Sequence, residues 1–264
     1  MRAFAMQPSG GSPPIQTLTG QSSREDTKRD ATAGYSTRLI LLATAGLLLA
    51  RLPLIALRKF DPDELEHSHA AWCVSKGMLL YKDFFEHHTP WYYYTLRPFF
   101  AWFDVAGSFD SARGFLFLGR GLSFALTLLS LLLVWRIGRF WADRRVGLVA
   151  VLLLAAQPIF LQKTLEMCPD VLALPFLLAG IWLLLRGLAD TTGSRTARGV
   201  GWFVGGGLAV GAAVMCTQKV LFVLPGMLAA LGVWALSAET PSRRFRVLSI
   251  AAFLFGVGVP DATT

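Results

Sequence analysis

The residues able to do chemistry crowd into one stretch. Between residues 60 and 94 lie all four histidines of the chain, His67, His69, His87 and His88, together with Asp61, Asp63, Glu64, Glu66, Asp83 and Glu86. Strongly apolar runs flank this stretch on both sides. Polar groups that close to a membrane are costly unless they have a task, so chemistry is expected here. Asp61 suits a helix N-cap and Pro62 the first helical position, and no breaker follows until Gly77. Asp63 and Glu64 then stand in the first turn of a short juxtamembrane helix, where the helix dipole stabilises negative charge. First-turn acids are common in any protein. Asp61, Asp63, Glu64 and Glu66 directly after a membrane span form a rarer setting, and a carboxylate there could take a proton from a hydroxyl.

The histidines admit a second chemistry. With Asp61 and Glu66 they could ligate a divalent metal. Their spacing disfavours it. His67 and His69 do not share a helix face, and the adjacent His87 and His88 point apart in an extended segment. The expectation is therefore no metal, with the histidines serving as polar loop residues and a divalent ion as the lesser alternative. The second half of the stretch, residues 81–103, is dense in aromatics and broken by Pro90 and Pro98, as in a segment lying at lipid headgroup level. Such a belt does not account for Lys82, Asp83, Glu86, His87 and His88 just before it.

These residues need elements to hold them. The 264 residues are 54% hydrophobic and only 16% charged, with mean hydropathy +0.50. A soluble domain of this size carries more charge, and here the apolar residues come in long runs. The expected fold is an all-α polytopic membrane protein of about six to seven transmembrane helices, with an outer loop of short juxtamembrane helices. Predicted spans are 38–57, 112–134, 146–161, 171–188, 200–215 and 220–236, and a seventh run starts at 247. Arg51 interrupts the first and is expected to snorkel to an interface rather than turn into the bundle. Glycines in the fifth permit close helix approach.

Net charge is +8, and its placement says more than its size. Arg136, Arg139, Arg144, Arg145, Arg195, Arg198 and the PSRRFR segment fall between spans on one side. The acidic loop 60–111, the link with Glu166 and Asp170, and the Cys216–Lys219 turn fall on the other. The positive-inside rule puts the amino terminus in the cytoplasm and loop 60–111 outside. The basicity thus faces anionic lipid, and no nucleic acid partner is expected. Residues 1–37 read as a disordered cytoplasmic tail and 38–264 as one membrane domain. The apolar run comes too late for a cleaved signal. Cys73, Cys168 and Cys216 show no paired spacing; they read as small apolar residues, with a Cys73–Cys168 bridge as the alternative.

The first loop resembles that of the C-type integral-membrane glycosyltransferases, the protein-mannosyltransferase-like and aminoarabinose-transferase-like enzymes above all. The residues that carry the likeness are Asp63-Glu64, the step from Gly77 through Tyr81 to Asp83, and the turn His88-Thr89-Pro90, where many relatives have Lys-Pro-Pro. Glu166 and Asp170 match an acid in the next outer loop, and Gln218-Lys219 a third, weaker position. The likeness covers about residues 39–236. It implies transfer of a hexosyl or pentosyl group from a polyprenyl-phosphate-linked donor in the bilayer to a glycan, lipid or protein acceptor, with inversion. Asp63 would be the base, Glu64 would orient it, and Asp170 would help hold the acceptor. Asp61, Tyr81, Lys82, Asp83, His87, His88, Arg97, Glu166 and Lys219 would bind substrate, the cations holding phosphate. The family's later spans and carboxy-terminal outer domain are not in this sequence, as expected of a fragment. Two rival readings stay open: a transporter or flippase, which calls for charged residues in mid-span, and an inactive fragment or scaffold.

Overall fold

A computed structural model describes residues 36–190, 196–237 and 242–262. The predicted tail lies almost wholly outside these, as does Arg195. Among the described residues the protein is all α-helical, with one isolated bridge between Leu80 and Phe84. The long helices are α1 (Ser36–Leu57), α4 (Phe109–Trp141), α7 (Pro169–Ala189), α8 (Thr196–Cys216), α9 (Leu224–Ser237) and α10 (Arg243–Ala262). Shorter ones are α2 (Pro62–Ser75), α3 (Trp91–Leu96), α5 (Arg144–Ala156) and α6 (Pro158–Lys163), with 3-10 turns at Arg97–Ala101 and Gln218–Phe222. Five stretches are long and apolar enough to cross a membrane: Ser36–Leu57, Phe109–Trp141, Pro169–Ala189, Arg198–Cys216 and Gln218–Leu236. The chain is an integral membrane protein.

Three details differ from expectation. The second span is a helix of 33 residues, about 50 Å long, so it overruns the roughly 30 Å of hydrocarbon. Arg136 and Arg139 thus lie on helix rather than in a loop. The third predicted span is broken in two. Pro158 disfavours helical backbone at the residue before it, and Gln157 is extended there, with ψ 123°. Arg51 does not snorkel. It is fully buried and donates to the Ala155 carbonyl at 2.9 Å and the Thr164 hydroxyl at 3.4 Å. A buried guanidinium is tolerated only when its donors meet such acceptors.

Small residues set the helix spacing on the other side of the bundle. A Cβ at Gly207 of α8 would lie 2.1 Å from the Phe253 carbonyl of α10, and one at Gly256 would lie 2.5 Å from the Val204 carbonyl. Backbones approach that closely only where no side chain intervenes. α8 packs on α7 on its other flank, so α7, α8 and α10 form a layer whose end carries Asp170 and Lys219.

Candidate functional site

α2 is built as its sequence dictates. Asp61 accepts from the Asp63 amide at 3.1 Å, Glu64 reaches back to the Asp61 amide at 2.9 Å, and Pro62 fills the first turn. This capping box fixes the helix start immediately after α1. Glu64 then does more. Both its oxygens receive Arg120 of α4, from Nε at 2.9 Å and Nη2 at 2.7 Å, and the Met167 amide donates to it at 3.1 Å. The remaining Arg120 donors go to the carbonyls of Ile55, Arg58 and Lys59 at 2.8–2.9 Å. All five N–H groups of the guanidinium are used, and it lies over the Phe60 ring at 4.4 Å. Arg120 thus pins the end of α1 to the start of α2, and Glu64 ties the α6–α7 link to both.

That arrangement corrects the role expected of Glu64. It is fully buried and committed to Arg120, so it holds the helix in place and is not free to orient a reacting group. Asp63, one residue earlier, is exposed and makes no side-chain hydrogen bond or ion pair among the described residues. Glu166 is corrected in the same way. It is buried between Arg58 and Lys163, the latter at 2.7 Å, and ties the α6–α7 link to the end of α1. Its hydrogen bond, ahead of opposing desolvation, raises the Lys163 pKa, and Asp61 and Asp63 add to the rise. Lys163 therefore stands within electrostatic reach of Asp63.

Asp170 sits in the first turn of α7 and receives Lys219 at 2.6 Å, while its other oxygen is buried without a partner. Two loops predicted to share a side do meet. The His88-Thr89-Pro90 turn joins them: Thr89 donates to the Val214 carbonyl at 2.9 Å, and Gln218 to the His87 carbonyl at 2.6 Å. The segments assigned to the outer side by charge therefore share one end of the bundle.

Other expected ligands are placed differently. The Gly77–Asp83 step closes on itself. Asp83 accepts from the Leu79 amide at 2.8 Å, Tyr81 takes φ 66° and donates from its hydroxyl to the His88 carbonyl at 2.5 Å, and Lys82 is exposed. Asp83 and Tyr81 thus shape the turn. Arg97 is not brought to Asp63. It lines a cavity of about 700 Å³ with Trp72, Ser75 and Lys76 at the far end of α2, roughly 20 Å along the helix from Asp63. The aromatic segment is only partly a belt: Trp102 is exposed, whereas Tyr92 and Tyr93 are buried in the core.

The histidines also depart from expectation. His67, Glu86 and His88 converge in the interior. The His67 and His88 rings stand 5.0 Å apart edge to face, and those of His87 and His88 3.9 Å apart. Tyr93 meets His67 Nδ1 at 3.2 Å. Burial, then the neighbouring His88, drives the His67 pKa down to about 4, so it is a neutral imidazole at neutral pH. Burial pushes the Glu86 carboxyl up, but the bonds from the His88 ring and amide outweigh it and bring it down to about 2. Spacing could not show this gathering, because Tyr93 and the tied-down turn create it. Nor did it single out Arg120 as an anchor. All three cysteines are free.

The transporter reading called for charged residues in mid-span. Arg51 and Arg120 are buried on span helices, where they face carbonyls, a hydroxyl and Glu64.

With this geometry in hand, the chain belongs to the dolichyl-phosphate-mannose-protein mannosyltransferase family, whose model matches residues 87–260. That makes it a membrane protein of a glycosyltransferase family. In fold it is similar to the oligosaccharyltransferase of Archaeoglobus fulgidus in the apo form, with TM-score 0.66 and 16% identity over 85% of this chain and 29% of that one. It is equally similar to the same organism's oligosaccharyltransferase AglB in complex with an inhibitory peptide and a dolichol-phosphate, with TM-score 0.65 and 16% identity over 87% of this chain and 30% of that one. The chain spans about three-tenths of those proteins' length. No curated protein matches it.

Proposed function

We propose that this chain transfers a hexosyl or pentosyl group from a polyprenyl-phosphate-linked donor to an acceptor hydroxyl at the outer face of the plasma membrane, with inversion. The amino terminus would then be cytoplasmic and loop 60–111 outside. The observation that carries the reading is the split within one dipeptide: Glu64 is consumed in holding α2, and Asp63 beside it is left exposed and unpaired. Family membership and the dolichol-phosphate held by AglB support the donor class.

The chemistry follows in one displacement. The acceptor oxygen attacks the anomeric carbon, and its proton passes to the Asp63 carboxylate. The bond from that carbon to the donor's phosphate oxygen breaks, and the electron pair leaves on the lipid phosphate. Attack opposite the leaving group inverts the centre. Phosphate departs readily and needs no acid, so the demand falls on the base and on cations that hold the phosphate. Lys219 and Lys82 are exposed at this end. Asp170, whose side chain is 40% exposed beside Lys219, would help hold the acceptor.

The test is Asp63→Asn in membranes carrying the chain, supplied with a radiolabelled polyprenyl-phosphate hexose and pentose. Loss of a general base costs about 10²–10⁴ in rate. Transfer by the variant at the wild-type rate removes the reading.

A further inference from the structure

We propose that His67, Glu86 and His88 form a binding site for a zinc-like transition-metal dication. The three side chains come from two separate segments, α2 and the turn ahead of α3, and each can direct one ligand atom so that all lie within 4.8 Å of one another. All three are buried, His67 to 3% exposure. Two imidazoles and one carboxylate are a donor set that zinc takes in three-ligand sites, with a fourth position for water.

Charge is compatible with the site. The His87 and His88 amides, at 2.9 and 3.2 Å, and the His88 ring, at 3.1 Å, hold the Glu86 carboxylate beside the two imidazoles, where it would serve as the anionic ligand. The surroundings fit as well. The Tyr93 hydroxyl at 3.2 Å from His67 Nδ1 stands where an outer partner fixes a ligand ring. Glu66 and His87, about half exposed and 3.6 Å apart, form a second group with Glu86 on the solvent side, a route of entry for the ion. The bound ion would clamp the His88-Thr89-Pro90 turn onto α2, one helical turn from Asp63.

The site is independent of any sugar transfer, and its test reads binding alone. The chain is purified in detergent, stripped with a chelator and titrated with Co²⁺, then with Zn²⁺ as competitor. The expected result is one Co²⁺ per chain with the visible absorption of a four- or five-coordinate ion, displaced by Zn²⁺. His67→Gln and His88→Gln should each weaken binding at least tenfold, while Glu66→Gln and His87→Gln retain it. X-ray absorption of the zinc-loaded wild type, which needs no variant, should show two imidazoles. No bound ion, binding undiminished in both His67→Gln and His88→Gln, loss confined to the Glu66 and His87 variants, or a zinc shell without imidazole would each overturn the proposal.

Discussion

Arg120 grips both carboxylate oxygens of Glu64 at 2.9 and 2.7 Å, with 1% and 0% of the respective side chains exposed. Removing one member leaves the other as an uncompensated buried charge, at a cost of about 3–5 kcal/mol. Glu64→Gln and Arg120→Met should each lower the unfolding midpoint in detergent by a margin of that order. Arg120→Lys should rescue little, because an ammonium cannot serve two carboxylate oxygens and three carbonyls at once. A double variant losing less than the sum of the singles would measure the coupling. If Glu64→Gln proves as stable as wild type, the pair does not hold α2.

Asp63 should behave in the opposite way. Its side chain touches no partner among the described residues, so Asp63→Asn should leave the melting temperature and membrane insertion unchanged. Activity and stability therefore separate across two adjacent acids: position 63 should alter only turnover, position 64 both. A drop in stability for Asp63→Asn equal to that for Glu64→Gln would contradict this division.

Local chemistry wrote the start of α2 into the sequence plainly. Asp61, Pro62 and Glu64 are a cap, a first-turn proline and a capping-box acid, and each acts within four residues of its neighbours. Apolar runs likewise announced the spans, and loop charges grouped the segments that meet at one end. What stayed hidden depends on partners far along the chain. Glu64 meets Arg120 56 residues later, and the Met167 amide meets it after another long excursion. His67 and His88 face each other because Thr89 and Gln218 tie the turn to the end of α8. The break at Pro158 was legible in principle, since the residue before a proline resists helical backbone.

Lys219 pairs with Asp170 at 2.6 Å, but it is 61% exposed and its partner 40%. Such a pair adds only about 0–1 kcal/mol to stability. Lys219→Met should therefore fold normally. If the ammonium also meets the donor phosphate, the variant should raise KM for the lipid donor roughly tenfold or more, the worth of one contact to a charged group. An unchanged donor KM would remove Lys219 from the phosphate site.

The Cys168 thiol gives a handle on the same loop. Burial, and behind it the Asp170 carboxylate, push its pKa up to about 11. The neutral thiol is thus favoured in the folded state. At pH 8 its alkylation should run roughly a hundredfold slower than that of a free thiol and rise about tenfold per pH unit toward 11. The sign for stability follows from the same shift. The folded state keeps a proton that the unfolded chain gives up near pH 9, so this contribution is present below pH 9 and is lost between 9 and 11. Rapid alkylation at pH 7 would show that the thiol is neither buried nor beside Asp170.

The α8–α10 contact can be tested with a pair of glycines on one helix. A Cβ at Gly205 would meet Leu183 at an ordinary 3.6 Å, whereas one at Gly207 would fall 2.1 Å from the Phe253 carbonyl. Alanine is the better helix former by about 1 kcal/mol, so Gly205→Ala should be neutral or slightly stabilising. At Gly207 the same gain is set against a methyl forced into backbone that cannot rotate away. α8 and α10 must then separate, at a cost on the order of 1–3 kcal/mol. Thermal unfolding in detergent should rank Gly207→Ala below wild type and Gly205→Ala at or above it. Equal midpoints for the two variants would mean that the helices do not approach this closely in the bilayer protein.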